Sequence, residues 1–134
     1  ELDMFFEYAG FVKKQVAIDI MQSSHGLLMF GDEELSIYIP SKLYEYLAAK
    51  RPILYYGASG ISPRIISSLN SGWVVGANEE NKLSEAFSSL FRGEVPVAKD
   101  IDGFLAKRER SLLARDFFKY IEKRTENYPQ RQTS

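Results

Sequence analysis

The chain has 134 residues, enough for one ordinary compact domain and too few for two. Its hydrophobic share of 45% and charged share of 26% fit a globular chain and exclude a disordered one. The 17 Lys and Arg against 18 Asp and Glu leave a net charge of -1, so no bulk field draws the protein to nucleic acid. With no cysteine, disulfides and thiolate chemistry are excluded, and a reducing compartment fits. The single histidine, His25, speaks against a histidine-rich metal site and against a histidine-centred hydrolase triad; no metal site is expected. No stretch approaches ~18 consecutive apolar residues and no charged-then-apolar leader is visible, so neither a membrane span nor a signal peptide is expected.

In chain order, Phe5 to Tyr8 reads as a short aromatic strand ended by Ala9-Gly10. Val16, Ala17, Ile20 and Met21 recur at helical spacing and predict an amphipathic helix from Lys13 to Ser23. Ser23-Ser24-His25-Gly26 breaks it, with His25 as a capping or turn residue. Leu27 to Phe30 is an all-apolar run of the kind a strand shows when buried on both faces. Gly31-Asp32-Glu33-Glu34 is an acidic loop, and the connection runs on to Pro40.

Ser41 is a good N-cap for a helix over Lys42 to Lys50, which Pro52 ends by forcing Arg51 out of the helical region. Ile53 to Tyr56 predicts a second buried strand, and Gly57 to Gly60 a turn. A helix over Ser62 to Leu69 carries Pro63 in its first turn, where proline is tolerated. Trp73 to Val75 reads as a third short strand, and Asn78 to Asn81 introduces a helix over Lys82 to Phe91. A loop from Val95 to Gly103 leads to a last helix over Phe104 to Lys123, and a disordered tail is expected at 126–134. Buried strands alternating with helices predict an α/β domain with a parallel sheet covered by helices.

One stretch carries chemistry: "IPSKLYEYLAAKRPIL", residues 39 to 54. Glu45 lies one turn inside the helix, on the same side as Lys42 at three residues' spacing. Glu45 sits among apolar and aromatic neighbours, Tyr44, Tyr46 and Leu47, which read as core, and is expected to be a buried acid. A helix N-terminus presents free N-H groups and suits an anion, and Lys42 would add a full positive charge there. A carboxylate one turn deeper can accept hydrogen bonds from two vicinal hydroxyls, each strengthened by its charge. For an arbitrary helix, a solvated surface glutamate is the more frequent explanation of such a position.

This stretch resembles the nucleotide-sugar-binding half of GT-B-type glycosyltransferases of the large "group 1" family, which build bacterial polysaccharides. Pro40, Ser41, Lys42, Leu43, Tyr44, Glu45, Tyr46, Leu47, Pro52 and Ile53 fall in the family's register. "YAGFVKKQVAIDIMQSSHGLLMF", "ISSLNSGWVVGANEENKLSEAFSSL" and "FLAKRERSLLARDFFKYI" are similar to its flanking segments, so the resemblance covers nearly all of residues 5 to 122.

The resemblance implies a Rossmann-like sheet, here a partial C-terminal donor domain over 1–125. The activity it implies is transfer of a sugar from a nucleotide-sugar to a saccharide or lipid-linked acceptor. The nucleotide-sugar would be a substrate, with no permanently bound cofactor. Glu45 would then be the ribose ligand; Ser41 and Lys42 would meet the diphosphate, Ile39 and Pro40 would belong to the donor site beside them, and Phe11 and Val12 would meet the nucleobase. No catalytic residue is assigned. "GASG" at 57 to 60 is too short for a dinucleotide fingerprint and is expected to be a loop near the donor.

The pattern is incomplete. Retaining members often carry a second glutamate eight residues before the ribose ligand, and that position here is Ile37. The "GDEE" loop at 31 to 34 is the candidate substitute. The family's upstream strands, diphosphate-clamping Arg and Lys and acceptor domain have no counterpart in these residues, so a fragment inactive alone is expected. In a sheet of order 3-2-1-4-5-6 its strands would be the third to sixth. Phe5 to Tyr8 should then lie beside Leu27 to Phe30 or pair with another chain, giving a homo-oligomer through an unpaired strand.

Two other readings stand beside this one. A non-catalytic α/β module for assembly or membrane-surface association is suggested by the closing segment. There Lys107, Arg108, Arg110, Arg115, Lys119, Lys123 and Arg124 outnumber Glu109, Asp116 and Glu122, with Leu112, Leu113, Phe117, Tyr120 and Ile121 between them. Core packing with a solvated charged face is the better account of that segment. A receiver-like domain is weakened by the lack of an acidic cluster at strand ends. The expected location is the cytoplasm, with peripheral attachment to the inner membrane face as an option.

Overall fold

The computed structural model describes residues 5–34 and 36–108. The chain divides into two compact units, residues 1–101 and residues 102–134. In chain order the elements are α1 (Lys14–Ser23), β1 (Leu27–Gly31), α2 (Ser41–Ala49), β2 (Ile53–Gly57), α3 (Ile61–Ser68), β3 (Gly72–Val75), α4 (Glu80–Arg92) and α5 (Ile101–Ala106). The three strands form one parallel sheet in the order β1-β2-β3. The fold is α/β and Rossmann-like, as the alternation of apolar runs and helical periods predicted.

Parallel neighbours joined through helices cross over right-handedly, which sets α2 and α3 on one face of the sheet. On that face Leu27 pairs with Ile53 and Met29 with Tyr55, all four buried. Leu43 and Leu47 of α2 and Ile66 of α3 are fully buried. Each such aliphatic side chain contributes roughly 1.5–3 kcal/mol on leaving water. On the opposite face Leu54 and Val75 cluster with Ala86 of α4, and Tyr56, Trp73 and Leu83 pack around them.

Helix ends follow local chemistry. α2 begins one residue earlier than predicted, with Pro40 in the capping position and no side-chain cap. Ser41 is thus the first helical residue and not the N-cap. The helix also stops before Arg51: Lys50 turns left-handed at φ 54° and returns its N-H to the Leu47 carbonyl. α4 likewise has no side-chain cap at its start and ends on Gly93 in the left-handed region. Glu79 precedes it and accepts from the Gly76 N-H at 2.8 Å while pairing with Lys82. These bonds, the Lys82 one foremost, hold the Glu79 carboxyl below its ordinary range. Beyond α4, Asn70 donates to the Val97 carbonyl at 2.9 Å and the Lys99 N-H to that of Leu69 at 2.7 Å, tying the loop to the end of α3.

Further expectations are corrected. Residues 5 to 8 form no strand; Phe5, Phe6 and Tyr8 are exposed, and none pairs with β1. Four residues ahead of Ala9-Gly10 gain too few ladder bonds without an adjoining strand to hold them. β1 is not buried on both faces: Leu28 is 43% and Phe30 73% exposed, while the cluster under α4 is built from Leu54 of β2 and Val75 of β3, and Leu90 of α4 approaches Gly26 just before β1. In α1 the residues facing α2 are Ala17, Ile18 and Met21, while Val16 and Ile20 stay half-exposed. The last helix starts at Ile101, three residues before the predicted Phe104; the remainder of the predicted helix and the tail lie outside the described residues. Within the second unit the Arg108 guanidinium stands 3.9 Å over the Phe104 ring.

Candidate functional site

At the carboxyl end of a parallel sheet, loops gather where helices begin, and ligands in open α/β folds collect there. β1 ends at Gly31 and β2 at Gly57, and both positions suit glycine by close approach. A Cβ on Gly31 would stand 1.6 Å from the Tyr55 hydroxyl oxygen. Tyr55 crosses that space to donate to the Ala58 carbonyl at 2.7 Å, and burial pushes its phenol up. The loop after β1 folds back through Ser36, whose carbonyl accepts the Ile61 N-H at 2.9 Å. Gly60 allows this contact, since a Cβ there would lie 2.6 Å from that carbonyl oxygen.

These contacts frame a cavity of about 280 Å³ between β1, the first turn of α2 and the first turn of α3. Pro40, Lys42 and Tyr46 line it from α2, Tyr55 from β2, and Gly60, Ser62 and Pro63 from α3. Its volume is at the low end of the ~300–1,000 Å³ of small-molecule sites. Neither helix has a side-chain cap at its start. In α3 the Ile61 N-H is already taken by Ser36 and Pro63 has none, so it is chiefly the Ser41 and Lys42 N-H groups of α2 that lack a capping side chain.

A second groove of about 450 Å³ runs between α1 and α2, lined by Lys14, Ala17, Ile18, Met21, Lys42, Glu45 and Ala48 among others. Lys42 borders both spaces. Its ammonium lies 3.2 Å from the Glu45 carboxylate and 6.0 Å from the centre of the Tyr46 ring. With Lys42 58% and Glu45 47% exposed, this ion pair is worth only ~0–1 kcal/mol and opens easily. The buried acid expected at position 45 is thus half-exposed, because α1 leaves a groove beside α2 and does not seal it.

The sequence-derived candidates separate accordingly. Pro40 and Lys42 line the sheet-end cavity; Lys42 and Glu45 line the α1–α2 groove. Ser41 is exposed at the start of α2, and Ile39 is half-buried just before it. Phe11 and Val12 are exposed ahead of α1 and line neither space. Ile37 is exposed. In the acidic loop, Asp32 borders the sheet-end cavity and Glu33 an open depression with Tyr56, Gly57 and Ala77.

Tyr46, read as core, is only half-buried; it lines the cavity and donates to the Leu28 carbonyl at 3.2 Å. Tyr55 and Ser62 were not among the expected site residues, whereas Gly60 belongs to the loop expected near the donor and lines the cavity. The available signal was the Gly57 to Gly60 turn followed by a serine and a proline in a helix's first turn. Among the described residues no group of His, Asp and Glu could hold a metal, and no helix is long and apolar enough to cross a membrane. No family model, no curated protein and no solved structure matches this chain.

Proposed function

We propose that the first unit is the donor-binding part of a glycosyltransferase acting on a nucleotide-activated sugar. One observation carries the reading: Lys42 and Glu45 share a groove-facing side of α2, within one turn of an uncapped helix N-terminus. A diphosphate placed at that terminus meets the N-H groups of α2 and the Lys42 ammonium. A ribose one turn deeper meets Glu45, whose half-exposed carboxylate can accept hydroxyl donors once Lys42 leaves its Oε2. Donor binding would draw Lys42 from its weak pairing with Glu45, freeing each for a different part of the ligand. Catalysis in the parent enzyme would consist of orienting the donor and stabilising the departing diphosphate. The place of action would be the cytoplasm, at or near the inner membrane face where lipid-linked acceptors lie.

Calorimetric titration with uridine, guanosine and adenosine diphosphates tests this. At least one should bind, and Glu45→Ala should weaken it about tenfold, the effect of losing a charge-assisted hydrogen-bond pair. Equal affinity of both proteins for every nucleotide removes Glu45 from the site.

A second reading, a module kept for assembly, is favoured by the exposed Leu28 and Phe30 on edge strand β1. An uncovered apolar edge of this kind pairs readily with a second copy or another strand. Sedimentation velocity then shows a concentration-dependent dimer that Phe30→Ser disperses; a monomer at all concentrations removes this reading.

A further inference from the structure

We infer that β1 is the contact strand of a two-fold dimer: a second copy of this chain lays its own β1 antiparallel to the first, joining two three-stranded sheets into one. The inference sharpens the assembly reading, on which it rests, by naming the partner, the register and the charges that select it.

Backbone direction decides which residues can pair. The Leu27 N-H donates to the Pro52 carbonyl at 2.9 Å, and the Gly31 carbonyl accepts the Ala58 N-H at 3.2 Å, so residues 27, 29 and 31 turn their groups toward β2. Successive residues of a strand point these groups to opposite sides, so Leu28 and Phe30 turn theirs to the open edge. In keeping with that direction, the Tyr46 hydroxyl donates to the Leu28 carbonyl at 3.2 Å. A carbonyl oxygen has a second lone pair, which leaves room for another donor. Edge strands are usually blunted by a charge or a proline, and β1, Leu-Leu-Met-Phe-Gly, carries neither.

The same two residues expose their side chains on one face of the sheet, Leu28 by 43% and Phe30 by 73%. Leu90 of α4 approaches Gly26 at the foot of that face, and Phe87, three residues earlier on α4, is 40% exposed. An antiparallel pair centred on Met29 sets Leu28 opposite Phe30 of the second copy, and Phe30 opposite its Leu28. Each pair exchanges both backbone bonds and lays an aliphatic side chain against an aromatic one, a contact that stabilises sheets. An antiparallel strand at the edge of a parallel sheet is common in α/β folds.

Charge selects a second copy and fixes the direction. Exposed Asp32, Glu33 and Glu34 stand at the carboxyl end of β1. Exposed Arg51 stands at its amino end, where it donates to the Gln22 carbonyl at 2.7 Å, next to the proline that holds the Leu27 N-H. Two-fold pairing brings the acidic loop of each copy to the Arg51 end of the other. Parallel pairing would set acid on acid at one end and arginine on arginine at the other. A second copy supplies the matching charges by symmetry, and a net charge of -1 gives little repulsion between copies.

The test uses the full chain, which has no cysteine of its own. In the inferred register opposed residues lie ~5.5 Å apart at Cα, whereas like residues of the two strands lie ~7–8 Å apart. A disulfide closes only below ~7 Å. An equimolar mixture of Leu28→Cys and Phe30→Cys should therefore yield a disulfide-linked dimer several times faster than either variant alone. Sedimentation velocity of the native chain should show a concentration-dependent dimer that Phe30→Ser abolishes with unchanged circular dichroism. Arg51→Glu should raise the dissociation constant up to about fivefold, and adding Glu33→Arg should restore it. A dimer that cross-links best through Leu28→Cys alone or Phe30→Cys alone, or that Arg51→Glu leaves unchanged, overturns the inference and keeps the assembly reading. A chain that stays monomeric at every concentration overturns both.

Discussion

The two faces of the sheet are built from equally apolar strands and end up in different environments. Beneath α2 and α3, Leu27, Met29, Ile53 and Tyr55 are buried, and Leu43, Leu47 and Ile66 close over them. On the other face α4 closes over Leu54 and Val75 but leaves Leu28 and Phe30 of β1 open to water, with the Phe30 ring edge-on to Tyr56 at 6.4 Å. Strand composition does not decide burial here. The number of helices that reach each strand does. The sealed face is also the one whose helix starts frame the sheet-end cavity, so the best-packed part of the unit supports the candidate site.

Four substitutions separate the faces, from large to small effect. Leu47→Ala removes a fully buried α2 side chain and should lower unfolding free energy by ~2–5 kcal/mol, read by chemical denaturation. Gly60→Ala sets a methyl group 2.6 Å from the Ser36 carbonyl oxygen and should cost about 1–3 kcal/mol, as overpacking does. It should also weaken any ligand of the sheet-end cavity by displacing the loop that borders it.

Tyr55→Phe deletes the bond to the Ala58 carbonyl and should cost ~0.5–1.5 kcal/mol. It carries a pH signature as well. The folded-state pKa of Tyr55 is raised by burial, so its contribution is complete below the ordinary tyrosine value of 10.0 and is lost as pH rises through the higher folded value. Thermal melts of the native protein should thus fall more steeply above pH 10 than those of Tyr55→Phe. Phe30→Ser, on the open face, should change stability by less than ~0.5 kcal/mol. A loss comparable to that of Leu47→Ala would mean that something covers β1.

The three paired strands and the helices between them were legible because each apolar run is short, bounded by Gly, Pro or Asn, and followed by a helical period. Leu27–Phe30 illustrates what the run alone omits. Its apolar side chains say that the strand can be buried twice over, whereas its edge position and the reach of α4 say that it is not. Phe5 to Tyr8 has strand-like composition but no neighbour to pair with, and composition cannot supply one.

Glu45 and Lys42 were readable as a same-side pair from their spacing. That Lys42 stands between two separate spaces, with Glu45 in only one, depends on how α1 and α3 lie beside α2.

The most direct test of the donor-site account is amide shift mapping with a nucleoside diphosphate that binds. The account expects the largest changes over Ser41, Lys42 and Glu45, with about tenfold more ligand needed to reach them in Glu45→Ala. Shifts centred on Asn78 to Lys82 at the start of α4, with residues 41 to 45 unmoved, would contradict it.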